Sequence, residues 1–451
     1  MQLAQILALV IFVVMFGAII WGKVHRYIPA LVAALLVILV VFLGVMRNPE
    51  AITTVFGFSQ FARISFWLPG HAETEIVRGI NWQTIVFISG MMIMVEGLGE
   101  AGFFRWLCLL LARMVNYRVI PLMIVFMLLS GFLAMFIDSI TVILFLASVT
   151  VELARLLRFD PAPMIIAEIF ASNVGGAATM SGDPPNIIIG TAFGFTFTDF
   201  LLNTGVIAWV GMLASLAFFY FSFRRTLTSG HQDSDADTYP GPAEAITNRR
   251  LFLAMALIFL LAIVLLVTHA QTGLSVALIG VIAAMLTLAV SGSRAVSLLK
   301  RFDWRTILFF IGLFIVVGGL EETGVLEVLA GYIADVSGGN VGLAIALILW
   351  VSAFASAIVD NIPLAATMVP VIASLSSSYG FSLETLSWTL ALGTDIGGNA
   401  TPIGASANVV GTAIAEREGH PIGWGKFIRY ALPAMLLVVG ICHVYLLLRY
   451  T

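Results

Sequence analysis

The sequence predicts an all-α polytopic membrane protein made of two inverted-topology repeats, each with about five transmembrane helices, one broken helix and one re-entrant hairpin. Three observations lead there. The first is composition: 451 residues, 60% hydrophobic and only 10% charged, with a mean hydropathy of +1.06, well beyond the apolar share of an ordinary globular domain. The second is an internal repeat. INWQTIVFISGMMIMVEGLGEAG (80–102) matches FDWRTILFFIGLFIVVGGLEETG (302–324) at 11 of 23 positions, and the offset, 304 − 82 = 222, carried forward without a gap pairs Asp138 with Asp360, Thr179 with Thr401 and Asn186 with Asn408. The third is the placement of basic residues. Arg105, Arg113, Arg118, Arg155 and Arg158 surround the segment that carries Asp138, whereas Thr306 to Glu416 contains no Lys or Arg at all. Lys and Arg near helix ends mark the cytoplasmic side, so the two halves have opposite orientations.

In chain order, apolar runs at 4–22, 28–46, 251–268 and 274–291 are each long enough to cross about 30 Å of hydrocarbon as helix. They lack the alternation of barrel strands. The first run has no basic leader region and ends in bulky residues, and is expected to be a retained span with no cleaved signal peptide. Lys23 and Arg26 follow it on the cytoplasmic side. The 47–80 loop mixes Arg47, Arg63 and Arg78 with Glu50, Glu73 and Glu75, so its charge assigns no side. Residues 1–225 form the first repeat, the polar stretch 226–249 a cytoplasmic linker, and 250–451 the second repeat. Glu96 and Glu100 stand near a helix end, where snorkelling to the surface is expected. Cys108 and Cys442 lie far apart in apolar segments, without a disulfide framework. The six histidines show no metal-ligand spacing, no organic cofactor is expected, and a net charge of −3 implies no nucleic-acid partner.

Two motif pairs interrupt the apolar pattern. SNVGGAATMSGDPPN (172–186) and TDIGGNATPIGASAN (394–408) contain glycines and prolines that cannot continue a membrane helix. Non-helical backbone at membrane depth survives where it is buried in protein or lines a wet cavity. Inverted repeats with broken helices in corresponding positions are the sequence signature of a secondary transporter. The freed amides and carbonyls, with Asn173, Thr179, Asp183 and Asn186 in one half and Asp395, Asn399, Thr401 and Asn408 in the other, are candidate ligands for an ion or solute. FIDSITVILFLASV (136–149) and IVDNIPLAATMVPV (358–371) each place an acid in an apolar segment, where an ionised side chain facing lipid costs at least ~2.5 kcal/mol. Asp138, Ser139 and Thr141, with Asp360 and Asn361, therefore join the set, and Asp138 and Asp360 also suit helix N-caps, with Pro363 in a first turn. Glu168 and Asp183 have no acidic counterpart, since Leu390 and Ala405 hold the equivalent places.

The pieces ASNVGGAATMSGDPPNIIIG, VDNIPLAATMVPV and GGNATPIGASANVV closely resemble the ion transporter superfamily, which includes arsenite efflux pumps, NhaD-type antiporters and citrate-type carriers; the branch of the melanosomal P protein is the nearest in pattern. The resemblance covers nearly the whole chain. It implies re-entrant hairpins with tips at Asp138-Ser139 and Asp360-Asn361, breaks at 173–186 and 395–408, and a substrate and coupling ion held between tips and breaks. It also implies a homodimer working by an elevator motion. The dicarboxylate carriers of the superfamily carry Ser-Asn-Thr at both tips, where this chain has Asp138-Ser139-Ile140 and Asp360-Asn361-Ile362. Two fixed acids with no basic residue in either motif disfavour a dianion.

The sequence thus predicts ion-coupled transport of a small ion or oxyacid across a bacterial cytoplasmic membrane, with Na+ or H+ as coupling ion and sodium sites near Asp138/Asn186 and Asp360/Asn408. A passive anion channel is the alternative. An intramembrane aspartyl protease is disfavoured, because Phe-Ile and Ile-Val precede the two aspartates in place of that family's Tyr and Gly-x-Gly.

Overall fold

The computed structural model describes residues 2–69, 79–227 and 239–451. The centre of the predicted linker and the Glu73, Glu75 and Arg78 part of the 47–80 loop lie outside the described residues. The long helices are α1 (Leu3–Trp21), α2 (Tyr27–Met46), α3 (Trp82–Glu100), α4 (Phe103–Met114), α5 (Val119–Ala134), α6 (Ser139–Leu157), α7 (Ala162–Gly176), α8 (Pro184–Phe193) and α9 (Phe197–Leu227), and then α10 (Arg249–Val267), α11 (Val276–Ser291), α12 (Trp304–Glu322), α13 (Val325–Ser337), α14 (Val341–Ser356), α15 (Asn361–Tyr379), α16 (Leu383–Gly397), α17 (Ser406–Arg417) and α18 (Trp424–Tyr450). Among the described residues ten helices are long and apolar enough to cross a membrane.

The repeat is visible in the helix starts. α3 and α12, α4 and α13, α5 and α14, α6 and α15, and α8 and α17 each begin 222 residues apart. α2 and α11 begin 276 − 27 = 249 apart, because the first half carries extra chain between α2 and α3, including short helices at Glu50–Phe56 and Ile64–Trp67. The amphipathic helices α4 and α13, which follow the third span of each half, were not foreseen.

Charged ends show the inversion. Glu96 and Glu100, at the end of α3, pair with Arg301 (3.3 Å) and Arg294 (3.8 Å), ion pairs in place of the expected free snorkelling. At the same face Arg155 pairs with Glu418, and Lys426 with Asp160 at 2.9 Å. The equivalent end of α12, Glu321 and Glu322, instead shares a cleft with Gln2 and Gln5 at the start of α1, a span away from His25, which meets Arg305 at 3.3 Å. Homologous ends therefore occupy opposite faces.

Without a hydrophobic drive between helices in lipid, close backbone approach supplies the packing. α3 crosses α11 with Gly90 against Gly280, where a Cβ on Gly90 would stand 2.2 Å from the Gly280 carbonyl oxygen. α2 packs on α12 in the matching place, so each half's second span rests on the other half's third. The hairpins α5–α6 and α14–α15 clasp α7 and α16. Gly175 of α7 meets Gly131 of α5, and an added Cβ would lie 2.1 Å from the Gly131 oxygen. All residues of α7 are buried, including Glu168, Ser172 and Asn173. Its sheath of protein explains how so polar a helix sits at this depth.

Candidate functional site

α7 ends at Gly176 and α8 begins at Pro184; α16 ends at Gly397 and, after one turn of 3-10 helix at Gly398–Ala400, α17 begins at Ser406. The breaks are narrower than expected and nearly superimposable in chemistry. Thr179 Oγ1 donates to the Met135 carbonyl and Thr401 Oγ1 to the Ala357 carbonyl, which tethers each break to the turn of its own hairpin. Asn186 Nδ2 donates to the carbonyls of Gly176 (3.1 Å) and Thr179 (2.9 Å), and Asn408 Nδ2 to those of Gly398 (2.8 Å) and Thr401 (2.7 Å). These amides satisfy carbonyls that the interrupted helices free.

At the tips both acids cap. Asp138 accepts from the Thr141 N–H at 2.9 Å and, through its other oxygen, from Thr141 Oγ1 at 2.7 Å. Asp360 accepts from the Ile362 N–H at 3.3 Å, and its Oδ2 receives Ser406 Oγ at 2.7 Å and Arg26 Nη1 at 2.9 Å. The same Arg26 donates to Ser406 Oγ (2.7 Å) and Thr306 Oγ1 (3.2 Å) and covers the Phe309 ring. The absence of a basic residue from both motifs, which sequence reasoning used against anions, is corrected by the fold: a residue 334 positions upstream supplies one. Arg26 had been assigned to marking a membrane face, and nothing local to either motif points to it.

The centre lies between tips and breaks. Asp183 is the N-cap of α8, yet its carboxylate does no capping; it receives Ser139 Oγ at 2.8 Å and Asn361 Nδ2 at 2.6 Å, one from each hairpin tip. Asn173 Nδ2 crosses the pseudo-twofold to Asn399 Oδ1 (3.0 Å) and Asn408 Oδ1 (2.9 Å). Asp395, fully buried, faces Asp183, Asn361 and Asn186, but among the described residues neither of its carboxylate oxygens has a partner in hydrogen-bonding geometry, and Asn186 Oδ1 and Asn173 Oδ1 are likewise unpartnered. The hydrogen bonds thus group the residues differently from the expected Asp138/Asn186 and Asp360/Asn408 pairs. Asp183, Asp395, Asn186 and Asn361 form one acidic pocket shared by the two halves, and Asp360 with Arg26 forms a second, neutralised centre.

Acceptor oxygens exceed donors in this pocket. A buried unpaired polar group costs about 1–3 kcal/mol and more when charged, and two neighbouring carboxylates cannot both remain ionised without a counter-charge. A cation or proton would satisfy Asp395 and the Asn186 oxygen together. On the Arg26 side the first turn of α17 keeps its N–H groups, while Pro184 and Pro185 remove two from α8. Half-helix N-termini favour anions, so the two ends of the site differ in the charge they favour.

A profile described as citrate transporter, CitMHS, matches residues 16–393. An uncharacterized transporter of Mycobacterium tuberculosis (strain H37Rv) is 37% identical over 374 residues, covering 82% of this chain and 87% of that protein. The human P protein is 28% identical over 455 residues, covering 82% of this chain and 54% of its own length. Among solved structures, the Alcanivorax borkumensis YdaH transporter superposes with a TM-score of 0.54 at 15% identity, covering 88% of this chain and 86% of that one. Neisseria gonorrhoeae MtrF, described with a class of antimetabolite efflux pumps, gives 0.53 at 14%, covering 89% and 84%. At those identities the two structures speak for the fold alone, and it is the profile, spanning most of the sequence, that makes this chain a member of the citrate transporter family and an integral membrane transporter.

Proposed function

We propose that the chain is a secondary active transporter, without enzymatic activity, that moves a small ion or oxyacid coupled to H+ or Na+ by an elevator-type alternating-access motion. The observation that carries this reading is the buried Asp395 carboxylate, with both oxygens unpartnered, facing Asp183 at the junction of the repeats. That pocket takes the coupling cation or proton. An oxyacid fits the other centre, where it would exchange places with the Asp360 carboxylate at Arg26 and the start of α17. In this reading Asp138 and Ser139 at a hairpin tip and Thr179 and Thr401 in the breaks complete the site, and the transporter works as a homodimer in a bacterial cytoplasmic membrane.

Support for the motion comes from contacts that break the repeat symmetry. Thr84 of α3 and the preceding Asn81 meet Thr191 of α8, with Thr84 and Thr191 hydroxyls 2.9 Å apart and Asn81 Nδ2 2.7 Å from Thr191 Oγ1. The equivalent start of α12, through Thr306 and Arg26, meets α17 at Ser406. Ser406 corresponds to residue 184, since 406 − 222 = 184, seven residues before Thr191. Exchanging the two arrangements slides both half-helices the same way along the spans, by about 10 Å at 1.5 Å per residue.

Flux in proteoliposomes under imposed proton or sodium gradients, screened with sodium, arsenite, silicate, citrate and chloride, tests the reading. Asp183→Asn and Asp395→Asn should each lower gradient-driven flux of the transported species by roughly 5–150-fold, the range of a typical coupling free energy. Wild-type coupling in both variants, or flux indifferent to every imposed gradient, overturns it.

A further inference from the structure

The two hairpin tips hold their acids in different ways. Asp138 has both oxygens satisfied inside its own helix by Thr141, and among the described residues no Lys or Arg faces it. In the second half Pro363 stands in the place of Thr141, since 363 − 222 = 141, and offers no hydroxyl. Asp360 Oδ2 is therefore satisfied from outside its hairpin, by Ser406 Oγ at 2.7 Å and Arg26 Nη1 at 2.9 Å.

These two partners belong to different bodies. Ser406 travels with the tip, because Thr401 Oγ1 also ties the break before α17 to the Ala357 carbonyl of the hairpin. Arg26 stays with α12, where it donates to Thr306 Oγ1 and covers the Phe309 ring. A slide of about 10 Å, which brings Ala413 to the level that Ser406 now holds, parts Asp360 from Arg26 and leaves Ser406 beside it. While Arg26 is in place, Ser406 Oγ accepts from Nη1 and donates to Oδ2. Once the guanidinium leaves, that hydroxyl has a free lone pair, and a protonated Asp360 can donate to it. The proton then replaces the guanidinium with no polar group left over and no uncompensated charge.

No other base travels with the tip. α14 and α15 carry none, and α17 has Arg417 at its far end beside Glu416. Across the adjoining Asn361 lie Asp183, which receives the Asn361 amide at 2.6 Å, and Asp395; Glu384 stands at the other end of α16. On α12 Asp303 caps Thr306 through both oxygens (3.2 and 2.6 Å), and Arg305 meets His25 at 3.3 Å. α13, with Glu327 and Asp335, meets α15 at Tyr379, the far end.

We propose that Asp360 is a proton site at which Arg26 and a proton alternate: water supplies the proton when the half-helices slide away, and Arg26 displaces it to water when they return. In each cycle one hydronium gives its proton to the carboxylate and one water takes it back, with Arg26 charged throughout. Side chains 28% and 13% exposed give the departing proton an outlet at the Arg26 face. Asp138, whose surroundings Asp360 acquires when the two arrangements are exchanged, is partly exposed as well. This rests on the sliding motion proposed above, and makes the proton a coupling ion at a site separate from Asp183 and Asp395.

Infrared spectroscopy of the purified full chain at neutral pH tests it, with the protonated-carboxyl band of Asp360 identified by its loss in Asp360→Asn. A disulfide between Thr84→Cys and Thr191→Cys fixes the present arrangement, and one between Thr306→Cys and Ala413→Cys the slid one. The band should be absent from the first form and present in the second. Arg26→Gln should make it appear in the first form too, and Arg26→Lys, which keeps the charge, should suppress it. A merely structural Arg26 would leave both bridged forms alike. That result, or Arg26→Gln without the band in the first form, overturns the alternation. The comparison of bridged forms alters neither Arg26 nor Asp360, so it decides the matter even where Arg26→Gln fails to fold. If the second bridge never forms, the sliding motion fails and the alternation with it; a second bridge that forms without the band refutes the alternation alone.

Discussion

Arg26 and Asp360, 334 residues apart in the chain, are joined at 2.9 Å between Nη1 and Oδ2, and the same guanidinium nitrogen holds Ser406 Oγ at 2.7 Å. One cation thereby links the start of α2 to a hairpin tip and to the first residue of a half-helix. The side chains are 28% and 13% exposed, so the pair is screened less than a surface bridge but is not sealed from water.

Arg26→Ala should weaken the observed arrangement by about 1–3 kcal/mol, less than the loss of a fully buried partner. Arg26→Lys should recover only part of this, because an ammonium cannot reproduce the fork that reaches Asp360, Ser406 and Thr306 together. A double-mutant cycle with Asp360→Asn, read by thermal denaturation in detergent, checks the coupling. Strictly additive effects would show that the contact carries no energy.

Cysteines at positions 84 and 191 should cross-link readily, because their native hydroxyls are 2.9 Å apart. A pair at 306 and 413 should cross-link only when the half-helices have slid by about 10 Å, since 413 is the counterpart of 191. Each bridge should stop flux and each should release it on reduction. Cys108 and Cys442 are buried and do not compete. If the second pair never forms, under a gradient of either sign, the sliding motion is refuted.

Asn186→Ala and Asn408→Ala each remove an amide that satisfies two break carbonyls, with a cost of about 1–3 kcal/mol from the groups left unpaired. Asn186→Ala should also raise the half-saturating concentration of the coupling ion, because its side chain faces Asp395 and its oxygen is unpartnered among the described residues. Asn408, whose oxygen already accepts from Asn173, should act mainly on stability. Transport measured against sodium and proton concentration, normalised to folded protein, would contradict this if the two variants behaved alike.

Gly175→Val should be far more damaging than its surface counterparts. A Cβ there meets the Gly131 backbone at 2.1 Å, and backbone cannot rotate aside, so the penalty exceeds the usual overpacking range of about 1–3 kcal/mol. Yield of monodisperse protein after extraction is the readout; wild-type yield would mean that the hairpin does not clasp α7 as described.

What the sequence made legible is what repeats or breaks a local rule. The offset of 222 carried the hairpin tips and the breaks from one half to the other, and prolines beside glycines in apolar surroundings located both breaks and, with the acids, the residues of the site. Arg26 escaped because a lone basic residue after a span is explained well enough by membrane orientation, and its partner is brought to it only by packing α2 on α12. Asp183 was one candidate among many and has no acidic counterpart, yet the fold gives it both hairpin tips; symmetry located the site without ranking the residues inside it. α4 and α13 went unnoticed because an amphipathic helix beside long apolar runs adds little to a hydropathy signal.

The amide of Asn173 has further reach in time than in space. Its two acceptors, Asn399 and Asn408, are 226 and 235 residues later in the chain. At ~5–20 residues per second of synthesis, α7 waits roughly ten to forty-five seconds for them to be made. Through that interval a helix carrying Glu168, Ser172 and Asn173 cannot rest stably in lipid, and the translocon or the hairpin α5–α6 has to shelter it. Biogenesis of the first half is thus held open until the second half arrives, and a chain truncated before residue 399 should be recognised and degraded as unfinished.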